Sequence, residues 1–376
     1  MEAYSVKGLL NHYFSDITSM SSFPLYQIKA LYRLKACRSE ALGGHVQRCE
    51  KGHVNGIWYN SCKHRACPQC RSMASEEWLR NTQGMLLNCA HHHIVFTIPS
   101  ELHALWRYNR DEMTGLLFEA AQETIKTFAA DPKHLGATPA YLSALHTWGR
   151  NLGLHPHIHL LISHGGLNKE GEWVEPKRQC LFPQKPVTLV FRGKLLAKVK
   201  QALAGDMLSM PQGQDICHLK TLCNKLGRKN WMVHFCDRYD HARGVAKYLA
   251  RYVKGGPFRN SQITDVSDDG VCFQYKSHTT KRIETLKLSA AEFMQRLLQH
   301  VPLPGKPTVR YGGLYSSSCR ARLNQAREKF GQQAVSEREQ LLWQTYIDDL
   351  GHTPKCKECG LPLIHGDAFA RKKQAE

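Results

Sequence analysis

The chain has 376 residues, 42% hydrophobic and 22% charged, and no apolar run near the roughly 20 residues a membrane helix needs, so it reads as a soluble globular protein with room for two or three domains. Collagen-like, coiled-coil and disordered classes are excluded by the same composition. Lysine and arginine number 51 against 32 acidic residues, and a net charge of +19 favours polyanions through counterion release, with nucleic acid as the leading partner and no membrane.

Met1-Glu2-Ala3-Tyr4 carries neither a basic cluster nor the apolar core of a secretory signal, so a cytoplasmic location is expected. In that compartment 14 Cys beside 21 His suggest zinc before disulfides. Pro24 to Arg38 places Leu25, Ile28, Leu31, Tyr32 and Leu34 at helical spacing, which predicts a helix leading into Cys37. Another helix is expected over 72–88. His93-Ile94-Val95-Phe96-Thr97-Ile98 then reads as a buried strand stopped by Pro99, and a second domain is expected to begin near it. A helix over 113–130, a β-prone stretch over 141–148 and a strand over 155–163 follow, with Gly165-Gly166 expected to turn the chain. Further helices are expected over 187–210, 216–226 and 241–253, with a short strand over 231–236 and a stop at Gly255-Gly256-Pro257. A hairpin over 261–276 turns at Asp268-Asp269-Gly270, and a helix is expected over 290–299. From Pro302 the chain is rich in Pro, Gly and basic residues, and 305–333 offers a basic surface suited to DNA.

Cys37, Cys49, Cys62, Cys67 and Cys70 crowd one short stretch. Within it Cys49-x3-His53 and Cys67-x2-Cys70 are two knuckles with the spacing from which a tetrahedral zinc takes two ligands per turn. Cys37, His45, Cys62 and His64 lie near enough to complete a second site, so one or two structural zinc ions are expected, and spacing does not assign ligands to ions. Closed sulfur-rich sites leave no coordination position for catalysis, and Lys51, Lys63, Arg65 and Arg71 would give this module a basic surface. Near the C-terminus, Cys356-x2-Cys359 reads equally as a reduced knuckle or as half a zinc site completed by His352 or His365.

In His155-Pro156-His157-Ile158-His159-Leu160-Leu161, alternate residues share one strand face, so the imidazoles align as a metal platform while Ile158 and Leu160 point into a core. The same alternation also resembles histidine-triad nucleotide hydrolases, so the strand alone does not decide the reaction. In Lys247-Tyr248-Leu249-Ala250-Arg251-Tyr252-Val253-Lys254, two tyrosines four residues apart lie one above the other on a helix. A phenol with an ordinary pKa of about 10 becomes a nucleophile only near a metal and cations. The His157/His159 face would hold magnesium or manganese, and Lys247, Arg251 and Lys254 supply positive charge at a DNA-binding surface.

Several stretches in order resemble the insertion-sequence 91 family of transposases, two-tyrosine rolling-circle enzymes of the HUH class. They are Leu42-Gly43-Gly44-His45, Ser61-Cys62-Lys63, Cys67-Pro68-x-Cys70, Val95 to Pro99, Leu154 to His159, Phe191 to Lys194, Tyr248 to Tyr252 and Arg310 to Leu314. The resemblance implies that His157 and His159 bind a divalent metal, that Tyr248 and Tyr252 form 5′-phosphotyrosine links to single-stranded DNA, and that the cysteine cluster is an N-terminal zinc module. Departures are that His53 stands in for a family cysteine, and that Arg251 and Gly255 occupy positions where related initiators carry lysine.

The expected fold is therefore α+β: a zinc-binding module over 1–90, an HUH-type domain over 91–300 with a central antiparallel sheet and packed helices, and a basic C-terminal region over 301–376. The expected activity is cleavage and rejoining of single-stranded DNA at transposon ends and target DNA. A rolling-circle replication initiator with the same chemistry and a zinc-dependent DNA-binding protein without nuclease activity are the alternatives. His155, Asp240 and His241 are candidates for a third metal ligand.

Overall fold

The computed structural model describes residues 4–20, 23–177, 179–240 and 256–370. Among them ten α-helices and three antiparallel sheets make an α+β protein, as the sequence led one to expect. None of these helices is long and apolar enough to cross a membrane.

The N-terminal part runs α1 (Val6–Met20), α2 (Leu25–Ala36), β1 (Gly44–Arg48), β2 (Val54–Tyr59) and α3 (Ser72–Met85). It is followed by β3 (His91–Thr97), α4 (His103–Tyr108), α5 (Arg110–Ala130), β4 (Thr138–Trp148), β5 (Leu154–Leu167), β6 (Trp173–Val174), α6 (Gln184–Ala204), α7 (Ile216–Leu226) and β7 (Val233–Tyr239). The remainder is β8 (Ile263–Ser267), β9 (Gly270–Lys276), β10 (Ile283–Leu288), α8 (Ala290–Leu298), β11 (Val309–Gly313), α9 (Arg320–Lys329), α10 (Trp343–Asp349) and β12 (Ile364–Phe369).

The largest sheet has the order β11-β4-β5-β3-β7, with β6 added at the end of β5, so the histidine strand is central. Its two faces are covered differently because strand side chains alternate. Ile158, Leu160 and Ile162 of β5, with Ile94 and Phe96 of β3, pack against Phe118 and Ile125 of α5 and Phe191 and Leu195 of α6. On the opposite face Ala140, Leu142, Ala144 and Leu161 meet Leu79 and Met85 of α3 and Leu323 and Ala326 of α9. Short side chains on β4 let those helices approach, and the longer histidines of β5 continue the same face beyond them. Local capping fixes the helices: the Asp215 side chain accepts the His218 amide at 2.6 Å to start α7, and Ser289 accepts the Glu292 amide at 3.2 Å to start α8.

One expectation changes. Gly165-Gly166 does not turn the chain but lies inside β5. Gly165 adopts φ +141° with the Trp173 ring where a Cβ would be 2.8 Å away, and a Cβ on Gly166 would meet Thr138 backbone at 2.7 Å, so the pair serves close approach. β11 completes the central sheet by pairing with β4, and β12 pairs with β1 of the N-terminal module, so the C-terminal region is divided between two sheets. Likewise Phe258, the β8–β10 sheet and α8 share one core with α1, α2, Cys37, Cys62 and Cys67. Pairings that join residues hundreds of positions apart leave no trace in local periodicity. The expected helix over 241–253 lies outside the described residues.

Candidate active site and metal centres

β4 and β5 pair so that His146 stands opposite His157 and Ala144 opposite His159, which puts three imidazoles on one face of the sheet. His146, His157 and His159 form a compact group in which the ligand nitrogens lie within 4.8 Å of one another. His146 is 1% exposed and the other two 8% each. The Nε2 atoms of His157 and His159 face each other at 3.0 Å. Their outer nitrogens are occupied: His157 Nδ1 donates to the His155 carbonyl at 2.6 Å, and His159 Nδ1 lies 2.7 Å from His93 Nε2. The carbonyl fixes the proton on His157 Nδ1, and in the tautomer in which His159 Nδ1 donates to His93 two Nε2 lone pairs point at one another, an arrangement that a cation between them resolves. Burial pushes the His157 imidazole down to about 4 and holds His159 well below the usual range, His159 also under the influence of His146, so both are neutral bases at pH 7. The residues therefore fit a divalent metal.

His146 was not among the third-ligand candidates read from the sequence. Of those, His155 lies beside His157, with ring centroids 4.9 Å apart, and stands outside the trio. Asp240 is exposed after β7 and pairs with Arg238 at 3.7 Å. His241, Lys247, Tyr248, Arg251, Tyr252 and Lys254 lie outside the described residues. The signal for His146 was its place in a β-prone stretch, which needed the β4–β5 register to become meaningful. His93 could have been noticed in the run His91-His92-His93.

The cysteines fall into two groups, and the two knuckles picked out by their spacing go to different ones. Cys37, Cys62, Cys67 and Cys70 converge at the end of α2 and in the loop before α3, with Cys67 Sγ 3.6 Å from Cys37 Sγ and Cys62 Sγ 3.7 Å from Cys70 Sγ. A tetrahedron with zinc–sulfur bonds near 2.3 Å has edges of about 3.8 Å, so the quartet fits zinc, and these separations exclude disulfides at about 2.05 Å. Neighbouring Cys62 and Cys67 thiols pull Cys37 down to about 7. Cys49 and His53 belong to a second group with Cys356 and Cys359. His45 is in neither group, since its ring stacks on His365 with centroids 4.7 Å apart. His64 instead accepts the Ala66 amide at 3.2 Å through Nδ1.

Beside β11 a groove of about 940 Å³ runs between α3 and the segment 335–345. Arg65, Arg71, Arg80, Arg320 and Arg338 line it against Glu77, Glu337 and Glu339, together with Trp78 and Tyr311. Val309 and Tyr311 pair opposite Ala144 and Leu142, so the groove opens on the sheet face that carries the histidines.

Two family models match this chain: "Transposase zinc-binding domain", that of the insertion-sequence 91 transposases, over residues 9–98, and "Putative transposase" over residues 141–322. The chain is 31% identical over 343 residues to "Putative transposase y4qJ" of Sinorhizobium fredii, covering 89% of this chain and 85% of that protein. It is 29% identical over 301 residues to "Transposase for insertion sequence element IS801" of Pseudomonas savastanoi pv. phaseolicola, covering 77% and 70%. A zinc-binding module joined to this sheet domain thus defines a DNA-binding transposase. The chain belongs to the insertion-sequence 91 family of transposases, and its cysteine clusters are those of a protein with structural zinc.

Proposed function

We propose that this transposase works by a rolling-circle route, cleaving and rejoining single-stranded DNA at transposon ends through 5′-phosphotyrosine intermediates on Tyr248 and Tyr252. The observation that carries the reading is the buried His146, His157 and His159 trio on the central strands, with two Nε2 atoms converging at 3.0 Å. Attack by a tyrosine oxygen forms one phosphorus–oxygen bond and breaks the bond to the 3′ oxygen. The phenol loses a proton and the released 3′-hydroxyl gains one, so the phosphoester count is unchanged and no nucleotide cofactor is needed. A divalent metal, when bound, supplies Lewis acidity at the phosphate. Of the two metals expected, manganese suits three imidazoles better than magnesium, which takes oxygen ligands.

The other residues have supporting roles. Cys37, Cys62, Cys67 and Cys70 hold the structural zinc of the N-terminal module. Arg65, Arg71 and Arg320 neutralise phosphates along the groove, where Trp78 and Tyr311 offer faces on which unpaired bases stack. Lys247, Arg251 and Lys254 bring positive charge to the tyrosines.

Incubating the protein with single-stranded transposon-end DNA and manganese should give a covalent adduct that survives denaturation. Tyr248→Phe with Tyr252→Phe removes only the two phenolic oxygens, so the double variant should bind the same DNA and form no adduct. An adduct in that variant would show that neither tyrosine is the nucleophile. Wild-type protein that binds end DNA and never becomes linked to it would favour a DNA binder without cleavage.

A further inference from the structure

The transposase zinc-binding domain matches residues 9–98, yet the second cysteine group draws half its members from far beyond it. Two knuckles face each other there. One is Cys49-Glu50-Lys51-Gly52-His53, turned by Gly52 at φ +83°, and the other is Cys356-Lys357-Glu358-Cys359-Gly360, turned by Gly360 at φ +72°. The Gly52 amide returns to the Cys49 carbonyl three residues back at 2.9 Å and the Gly360 amide to the Cys356 carbonyl four residues back at 2.9 Å, so each knuckle is closed by its own tight turn. Left-handed backbone at these two positions is why glycine stands there.

Across the gap, Cys359 Sγ is 3.6 Å from Cys49 Sγ, Cys356 Sγ is 3.7 Å from His53 Nδ1, and His53 Nδ1 is 3.5 Å from Cys49 Sγ. A tetrahedral zinc with three sulfurs and one nitrogen has edges of about 3.8 Å between sulfurs and about 3.6 Å between sulfur and nitrogen. The surroundings match as well. Asn55 Nδ2 donates to Cys356 Sγ at 3.2 Å while its Oδ1 accepts the Lys357 amide at 2.8 Å, which places a neutral donor on a thiolate and ties the knuckles together. His53 Nε2 lies 3.6 Å from Glu358 Oε2, beyond hydrogen-bond distance, so the negative charge favours a proton on Nε2 without fixing the ring.

We infer that Cys49, His53, Cys356 and Cys359 bind a second structural zinc that fastens the C-terminal end of the chain to the N-terminal module. The clasp has a consequence for the groove. The segment leading to Cys356 lies along α3, where the Asn81 side chain exchanges hydrogen bonds with the Glu339 backbone at 2.9 and 3.0 Å and Arg80 meets Asp349 at 2.6 Å. Ser336, Arg338 and Leu342 of this segment form one wall of the arginine-lined groove. Zinc at the clasp anchors that wall from beyond its end, as the β12–β1 pairing does from the next strand. The inference stands apart from the cleavage chemistry proposed above.

Metal analysis of the full-length protein should find two zinc ions per chain, and Cys356→Ser with Cys359→Ser should retain one. Cadmium-113 spectra of the wild-type protein give a reading that needs no variant: two resonances are expected, one from four thiolates and one from three thiolates with an imidazole. One zinc per wild-type chain, a single cadmium resonance, or two zinc ions kept by the serine variant would overturn the clasp.

Discussion

His93 does not belong to the histidine trio, yet it sets the direction of one member. Its Nε2 lies 2.7 Å from His159 Nδ1, and in the tautomer in which it accepts the Nδ1 proton the His159 Nε2 lone pair is left facing His157. Partners of this kind typically change metal affinity about 10–100-fold when removed. His93→Ala should therefore raise the manganese concentration needed for half-maximal cleavage by about that factor while leaving the rate at saturating metal near normal. His93→Gln, whose amide oxygen accepts the same proton, should recover much of the loss, whereas a merely structural role would not respond to this rescue. His146→Ala should abolish adduct formation at every manganese concentration and still bind single-stranded DNA, and unimpaired cleavage would remove it from the site. The alternation His155-Pro156-His157-Ile158-His159 made two of these rings legible in the sequence, because period 2 is a local property. His146 became legible only through its pairing with His157, a register that no local pattern encodes.

At the scale of elements, β3 opens with three consecutive histidines whose fates alternate by face. His91 reaches the Tyr315 hydroxyl at 2.8 Å, His92 reaches His164 at 2.7 Å, and His93 turns back to the His91 face. Burial is the main cause that pushes His91 and His92 down to about 4, and His300, beside Thr147 at 3.0 Å, is pushed down to about 4 in the same way. Because the folded values lie below the ordinary value near 6.5, the unfolded chain binds more protons between pH 6.5 and 4. The stability these neutral rings allow is complete above pH 6.5 and is lost as the pH falls toward 4, on the order of 1–2 kcal/mol for each histidine by pH 5. Urea unfolding at pH 7.5 and pH 5 should show the midpoint falling with acid, and an unchanged midpoint would contradict burial of these rings as neutral bases. Elements with strong periodicity were legible: the expected helix over 216–226 is α7, and the hairpin over 261–276 is β8–β9. The strands β1, β2, β11 and β12 are short and glycine-bearing, and their pairing rather than their composition makes them strands.

For the whole molecule, the charge of +19 announced a polyanion partner but did not say where it lies. The groove proposed for it is assembled by the fold: Arg65 comes from the cysteine loop, Arg80 from α3, Arg320 from the start of α9 and Arg338 from the segment held along α3. Residues so far apart in the chain meet only once β11 has joined β4 and the C-terminal segment has returned to the N-terminal module, which is why the site was not legible as a unit. Arg65 and Arg338 are exposed and lie at the ends of this set in sequence, so charge can be removed there with little cost to packing. If both contact phosphates of a bound single strand, each contact releases counterions, and the slope of log K against log salt carries roughly −0.7 per phosphate. Arg65→Ala and Arg338→Ala should each weaken single-stranded DNA binding at low salt and flatten that slope by about 0.7, with about 1.4 for the pair. The zinc content and the adduct formed at saturating DNA should stay the same, because neither arginine belongs to the metal centres or the histidine trio. Binding isotherms across a series of salt concentrations test this directly: an unchanged slope would place the strand elsewhere on the basic surface, whereas a flattened slope with normal adduct yield would locate it in the groove between α3 and the C-terminal segment.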